Sequence, residues 1–248
     1  MFAFAQARPC QALKRAIPLA LKGVLRYDSA YEQGACAIST CKRGIPMREL
    51  TCANCGGSIQ VENQFIRAVT CRFCGAGYLV RGDDTLDPSG QSARLADYPS
   101  RLQVGMRGVI RGRAFTVLGR IRYAYDAGFW EEWQIAWEDG APPDWLEEDE
   151  GYWTLYRRER VKSALPAFEQ VRVGSTLPVN NYRVYVTEKR TARVAGSEGQ
   201  FSSVFPLTGT FGYFQGGADN HTVSVNYWQD EIELSIGDEL DHSEIRIG

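Results

Sequence analysis

Two close pairs of cysteines are the residues of this chain best suited to chemistry. Cys52 and Cys55 form the first pair, Cys71 and Cys74 form the second, and fifteen residues separate the pairs. A two-residue gap lets both thiolates of one tight turn reach the same tetrahedral ion, and a second turn completes the site. The spacing therefore predicts a zinc ribbon at 47–82 with a structural Zn²⁺, in preference to a disulfide pair or a redox dithiol.

The predicted zinc site favours a structural role over a catalytic one. Four protein ligands leave no position open for water, so hydrolytic chemistry is not expected there. Basic and aromatic residues lie near the cysteines, among them Arg67, Arg72 and Phe73, and this combination is also typical of nucleic-acid binding. However, the formal net charge of the chain is −2, and affinity for nucleic acid depends largely on neutralising phosphates. The ribbon is therefore interpreted as a structural clip or protein-docking module, with nucleic acid a disfavoured partner.

The sequence that follows the ribbon shows the alternation of β-strands. Residues 83–98 are rich in Gly, Pro, Ser and Asp, which is typical of a linker. From Phe115 to Tyr125 the odd positions are mostly apolar or aromatic, a period of two. The segment 130–137 fits a helix or a strand, but its aromatic content and the preceding turn favour a strand. We predict a mainly β chain in which the small zinc ribbon precedes an all-β, barrel-like body at 99–248.

The second half of the body repeats features of the first. A group of four residues recurs at an offset of 69: Val104-Gly105 with Phe115 and Val117, then Val173-Gly174 with Val184 and Val186. The recurrence indicates two related halves. Strands are predicted here at 182–187, 191–195, 209–214, 222–228 and 231–236.

Tryptophans and carboxylates are concentrated between residues 126 and 153. The tryptophans predict a core, or alternatively an exposed aromatic groove for a peptide or a base. The acidic stretch 138–150 predicts a solvated loop, or alternatively a docking surface for a cation such as a polyamine or a basic protein segment. The candidate binding surface combines both residue types: Trp130, Trp133, Trp145, Asp126, Glu132, Glu147 and Glu148.

Several common functional signals are absent from the sequence. The chain has two histidines, neither in a nucleophile or metal pattern, and it has no phosphate-binding P-loop. No apolar run approaches the roughly 20 residues needed to span a bilayer. Residues 1–46 are interpreted as a disordered or non-native extension before a start at Met47. Cysteine pairs suited to zinc, in a sequence with no recognisable signal peptide, indicate the reducing cytoplasm.

The stretch 115–133, with its spacing of Gly119, Tyr123 and Trp130, resembles a bacterial family known as domain of unknown function 4178. Residues 188–199 resemble the second half of that family, although Gln200-Phe201 stands where Leu-Pro usually follows. The resemblance covers roughly residues 47–240, and it implies an N-terminal zinc ribbon. The family's gene associations imply an accessory role beside membrane-stress proteins and polyamine-synthesis enzymes.

Together these observations predict a non-catalytic, cytoplasmic adaptor that binds a protein partner through the ribbon and the aromatic–acidic surface. The alternative is an enzyme or ligand-binding subunit that acts on a polyamine or similar cation. An enzyme of that kind requires a deep pocket lined by tryptophans and paired carboxylates, whereas an adaptor can use a shallow surface.

Overall fold

The fold consists of antiparallel β-strands in a computed structural model that describes residues 48–61, 63–93, 95, 100–204, 206, 208–229 and 231–248. The interpretation of residues 1–46 lies outside these ranges. The strands in the described part are β1 (Arg48–Thr51), β2 (Ser58–Val61), β3 (Ala68–Thr70), β4 (Ala76–Val80), β5 (Leu86–Gln91), β6 (Arg107–Ile110), β7 (Arg113–Tyr125), β8 (Gly128–Trp137), β9 (Asp144–Asp149), β10 (Tyr152–Glu159), β11 (Thr176–Val179), β12 (Tyr182–Phe201), β13 (Thr210–Ala218), β14 (His221–Tyr227), β15 (Ile232–Leu240) and β16 (Ile245–Ile247). A 3₁₀ turn at Phe168–Gln170 precedes β11.

Eight of these strands close into a barrel. Their order is β7, β8, β9, β10, β15, β14, β13 and β12, and pairing between β12 and β7 completes the ring. The remaining strands extend the edges: β6 and β16 lie beside the first part of β7, and β11 lies beside the first part of β12. The prediction of a mainly β chain with a barrel-like body is confirmed. In the described ranges, no helix is long and apolar enough to cross a membrane.

The alternation pattern located several strands correctly. The segment from Phe115 to Tyr125 lies in β7, and the ambiguous segment 130–137 lies in β8. The predicted strands 182–187 and 191–195 are instead parts of the single 20-residue strand β12. Register shifts after Val186 and Val194 disturb the alternation along β12, because a bulge reverses which face the next side chain occupies.

Two other interpretations differ from the structure. Within the expected linker 83–98, residues 86–91 form β5, which pairs with β4. Within the acidic stretch 138–150, expected to be a loop, residues 144–149 form β9 between β8 and β10. In both cases hydrogen bonding to neighbouring strands overrides the local composition, because strand propensity depends strongly on tertiary context.

The offset of 69 residues seen in the sequence is also present in the structure. The backbone N–H of Gly105 donates to the carbonyl of Val117 at 2.8 Å, and Gly174 donates in the same way to Val186 at 2.8 Å. Both glycines have a left-handed backbone, with φ of 87° and 82°. A register shift follows Val117 in β7 and Val186 in β12. The body therefore contains two halves that repeat a hairpin, a bulge and a four-strand meander.

The barrel interior is one of several apolar clusters. Trp130 on β8 packs against Phe211 and Tyr213 on β13, with ring centroids 6.4 and 5.2 Å apart. Since β8 and β13 are not hydrogen-bonded neighbours, these rings meet across the interior of the ring of strands. Trp133 belongs to a separate cluster on the opposite face of β8. Alternation along β8 thus directs neighbouring tryptophans into different cores.

Candidate functional site

The four cysteines lie on two backbone turns of the same geometry. The N–H of Gly56 donates to the carbonyl of Cys52 at 2.8 Å, and Gly75 donates to Cys71 at 2.8 Å. Both glycines have φ of 74°, a conformation that residues with a side chain rarely adopt. Each turn directs the two thiols of its pair towards the other pair.

The four thiols form one cluster. All four Sγ atoms lie within 4.8 Å of one another. Those of Cys52 and Cys74 are 3.7 Å apart, as are those of Cys55 and Cys71. None of the four is in a disulfide, and Cys52 and Cys71 are buried. A set of four thiol ligands at these separations could hold a metal ion.

A tyrosine hydroxyl supports this cluster. Tyr78 on β4 is buried, and its hydroxyl lies 3.2 Å from Cys52 Sγ while accepting the backbone N–H of Asn54 at 3.0 Å. Burial raises the pKa of the Cys52 thiol, but the hydrogen bond to Tyr78 and nearby backbone amides lower it, to about 6 overall. The surroundings of Cys52 therefore favour a thiolate, the form that binds metals.

The cysteine module, residues 48–80, is attached to the barrel at a three-strand junction. Strand β3 pairs with the end of β12, where Gly199 lies opposite Thr70 on one side and opposite Gly119 of β7 on the other. A Cβ atom on Gly199 would lie 2.3 Å from the carbonyl oxygen of Leu118. Glycine at this position allows β3, β12 and β7 to approach closely.

A groove of about 1040 Å³ separates the cysteine module from the barrel. Phe73, from the second cysteine turn, stands at this groove with 59% of its surface exposed. Polar side chains from both sides line the groove as well, among them Ser58, Gln60, Thr70, Arg72, Gln91, Ser100, Gln103 and Ser197. It is an open and largely polar surface.

The predicted aromatic–acidic surface is divided between three places. Trp130, Trp133 and Trp145 are buried, so the interpretation of an exposed aromatic groove is wrong. Asp126 lies in the exposed turn between β7 and β8 and accepts a hydrogen bond from Arg190 at 2.9 Å. Four members share the interior face of the barrel: Trp130, Glu132, Trp145 and Glu147. Two lie on the opposite face: Trp133 and Glu148.

Glu132 and Glu147 are brought together inside the barrel. They are directly opposite partners on β8 and β9. Burial raises the pKa of Glu132 to about 7, against the opposing effect of Arg158. Burial also raises the pKa of Glu147 well above its usual range, and the nearby charge of Glu132 raises it further. Two half-buried carboxylates directly opposite each other do not both ionise readily without a compensating charge.

Sequence reasoning missed the partners of this pair. Arg158 on β10 donates to Glu233 on β15 at 2.5 Å, lies 3.9 Å from Glu132, and stacks over the ring of Trp145 at 4.5 Å. Tyr123 on β7 is fully buried in the same cluster. These residues are far apart in sequence and meet only because the ring closes. Tyr123 lies within the alternating segment from Phe115 to Tyr125, whereas the sequence predicts no strand around Arg158.

The fold and site define a class: a closed antiparallel β-barrel of two similar halves that carries a four-cysteine module. Within that class the chain belongs to the family described as "Domain of unknown function (DUF4178)", whose model matches residues 103–242, more than half of the chain. The match lies in the barrel and leaves the four cysteines outside it. No curated protein and no solved structure matches the chain.

Proposed function

We propose that the four cysteines bind a structural Zn²⁺ and that the protein is a non-catalytic, cytoplasmic adaptor. A tetrahedral ion with bonds of about 2.3 Å to sulfur places its ligands about 3.8 Å apart. The separations of 3.7 Å between Cys52 and Cys74 and between Cys55 and Cys71 fit that value. Four thiolate ligands favour zinc and leave no position for substrate. A reducing compartment keeps such thiols available.

The groove between the cysteine module and the barrel is the observation that carries the adaptor function. Among the described residues, β2 pairs with β1 alone, so its second edge has no strand beside it. Ser58, Ile59 and Gln60 of β2 line the groove. An unpaired strand edge is a ready template for an added strand. The groove suits an extended polypeptide whose backbone pairs with β2, in competition with the side chain of Gln200, whose Nε2 donates to the carbonyl of Gln60 at 2.7 Å.

The two side chains at the tip of the second cysteine turn indicate the chemistry of that polypeptide. Arg72 lies over the ring of Phe73 at 4.7 Å, and both residues are exposed. No ion pair is formed by Arg72 within the described ranges. An extended segment of a partner protein with a carboxylate near Arg72 and an apolar side chain against Phe73 fits this surface.

Site-specific photo-cross-linking tests this function. A photoreactive phenylalanine analogue replaces Phe73 in the native host, and the same analogue replaces Tyr152 as a control on another exposed surface. Tyr152 is 76% exposed. The cross-linked peptide is then sequenced, synthesised and titrated against the purified protein by fluorescence anisotropy.

We expect the Phe73 position to cross-link to one extended segment of a second protein, and the Tyr152 position not to do so. The synthetic segment should bind the wild-type protein and bind Phe73→Ala at least tenfold more weakly. Binding that is unchanged by Phe73→Ala would overturn the proposal. A cross-link to residues 1–46 of the same chain would also overturn it.

The second candidate is a subunit that binds or acts on a polyamine-like cation. One observation favours it, the pair of carboxylates Glu132 and Glu147 inside the barrel. Their position beside buried aromatic rings suits a positively charged group better than a neutral one.

A further inference from the structure

We propose that the acidic end of the barrel interior binds a small organic cation through a primary ammonium group, held between Glu132 and Glu147. This inference rests on the second candidate function. No residue of the cysteine module takes part, so failure of this site and failure of the adaptor function are distinguishable.

The balance of charge inside the barrel is the first reason. Glu132, Glu147 and Glu233 face one half-buried cation, Arg158, which makes its close contact with Glu233 at 2.5 Å. Its distance to Glu132 is 3.9 Å. The other carboxylate of the pair, Glu147, has no ion pair among the described residues. The one guanidinium is therefore shared between Glu233 and Glu132, and Glu147 has, within the described ranges, only a hydrogen bond with Tyr156. Like charges directly opposite on neighbouring strands repel, and the pair has less than one compensating positive charge.

On the opposite face of the same strands, a buried carboxylate is compensated by arginines of the chain itself. Glu131 is buried on that face and accepts hydrogen bonds from Arg122 at 2.8 Å and from Arg120 at 3.3 Å. It also lies directly opposite a second carboxylate, Glu148. There two arginines of the chain compensate the carboxylate, whereas on the interior face one arginine, Arg158, serves both Glu132 and Glu233 and none pairs with Glu147 among the described residues.

An unpartnered hydroxyl is the second and independent reason. Tyr123 is fully buried, and within the described part of the chain its hydroxyl makes no hydrogen bond of good geometry, although Arg158 lies near enough to lower its pKa. The ring of Tyr123 packs against Trp130 with centroids 5.1 Å apart, and Trp130 donates to Glu132 at 3.4 Å, so Tyr123 lies beside the carboxylates. Burial is the largest cause that raises its pKa, and Glu132 and Glu233 raise it further. Buried polar groups in native proteins are nearly always hydrogen-bonded. An ammonium group between the carboxylates would donate to this oxygen.

The cluster is reachable from solvent at one end of the barrel. The side chain of Glu132 keeps 13% of its surface accessible, and Glu147 is half-buried. Asp149, two residues further along β9, is exposed. The mouths of β-barrels are common positions for ligand sites.

The lining favours an organic cation over a metal ion. Trp130 donates to Glu132 at 3.4 Å, and its ring packs with Tyr125 and Tyr213 at 5.9 and 5.2 Å. Aromatic faces attract ammonium groups. A calcium ion requires six to eight oxygen ligands, and Glu132, Glu147 and the hydroxyl of Tyr123 offer fewer in this cluster.

Isothermal titration calorimetry at pH 8 tests the site on the full chain. The probes are 1,4-diaminobutane, n-butylamine and, as a neutral control, 1-butanol; calcium chloride and magnesium chloride test for metal binding. The variants are Glu132→Gln and Glu147→Gln, which keep the shape of the side chain. Glu148→Gln, on the same strand as Glu147 but facing away, is the matched control.

We expect both amines to bind and 1-butanol not to bind. Affinity should fall at least tenfold in Glu132→Gln and in Glu147→Gln and stay within twofold in Glu148→Gln. Saturable binding of calcium or magnesium without amine binding would overturn the proposal, as would the absence of heat with either amine. Equal affinity for the amines in all variants would overturn it too.

The pH dependence of the wild-type protein gives a readout that needs no variant. The charged and titratable groups that face the pair are Tyr123 on β7, Asp149 on β9, Tyr156 and Arg158 on β10, Glu188 on β12 and Glu233 on β15. A cation binds the ionised carboxylates, and the pKa of Glu132 is about 7. Affinity for n-butylamine should therefore be about tenfold lower at pH 6 than at pH 8. An affinity that does not change over this range contradicts the site.

Discussion

Glu132 on β8 and Glu147 on β9 lie directly opposite each other inside the barrel, and the pKa of each carboxyl group is raised above its usual range. Burial is the largest cause in both cases. The folded protein therefore holds protons on this pair at pH values where the unfolded chain has released them. Ionisation of the pair opposes folding.

Replacing Glu132 with glutamine should make stability less sensitive to pH. The pKa of Glu132 rises from 4.5 to about 7 on folding, so its contribution to stability falls as the pH increases through that window. Glutamine does not titrate. Relative to wild type, Glu132→Gln should gain about 1 kcal/mol in free energy of unfolding between pH 6 and pH 8.

Urea denaturation at the two pH values measures this gain. Glu239→Gln, at an exposed position of β15, is the control. Its free energy of unfolding should differ from that of wild type by the same amount at both pH values. A Glu132→Gln variant whose difference from wild type is constant with pH would show that Glu132 is ionised in the folded protein throughout this range.

Removing the charge of Glu131 should have the opposite effect. Its carboxylate is buried and accepts hydrogen bonds from two arginines, Arg120 and Arg122. Glu131→Gln leaves buried guanidinium charge poorly compensated, so we expect a loss of about 3 kcal/mol in the free energy of unfolding. Glu138→Gln breaks an exposed pair with Arg107 and should cost less than about 1 kcal/mol. Equal effects of the two substitutions would contradict this interpretation of the Glu131 cluster.

The two glycines of the internal repeat should respond alike to substitution. Gly105 and Gly174 have φ of 87° and 82°, and a Cβ atom would meet no clash at either position. The cost of alanine is therefore that of the left-handed backbone, about 1 kcal/mol at each site. Thermal and urea unfolding should show similar losses that add in the double variant. Gly217→Ala, also without a clash but in an ordinary strand conformation, should change stability by less than about 0.5 kcal/mol.

The hydroxyl of Tyr78 should strengthen metal binding at the cysteine cluster. It lies 3.2 Å from the sulfur of Cys52, and partners of metal ligands commonly affect affinity by tenfold or more. Tyr78→Phe should therefore bind zinc about tenfold more weakly in competition with a chromophoric chelator. Tyr152→Phe is the control at an exposed position. Unchanged zinc affinity in Tyr78→Phe would show that the contact of the hydroxyl with Cys52 does not contribute to metal binding.

Local patterns predicted those parts of the fold that depend on local geometry. Cys52 and Cys55 lie on one short turn and reach the same cluster of thiols. The alternation of β7 is visible in the sequence from Phe115 to Tyr125. The sequence predicts two strands where the structure has the single strand β12, because a bulge after Val186 reverses the alternation and a second one after Val194 ends the second pattern. A bulge is set by pairing with neighbouring strands, which the sequence of one strand does not reveal.

The candidate site was predictable only in part for the same reason. The sequence indicates Glu132 and Glu147 as carboxylates near tryptophans and predicts that they lie on a binding surface. The register between β8 and β9 turns both towards the interior. Arg158, which lies close to Glu132 there, comes from β10 and was not identified. Closure of the ring, a property of the whole chain, decides which strands share a core.

The central claim is a closed zinc centre formed by Cys52, Cys55, Cys71 and Cys74. The metal content of the purified protein tests this claim most directly. Native mass spectrometry of protein prepared without added metal should show one zinc ion per chain. The Cys52→Ser variant should show none. Wild-type protein that carries no zinc, with these four cysteines as free thiols or as disulfides, would contradict the claim.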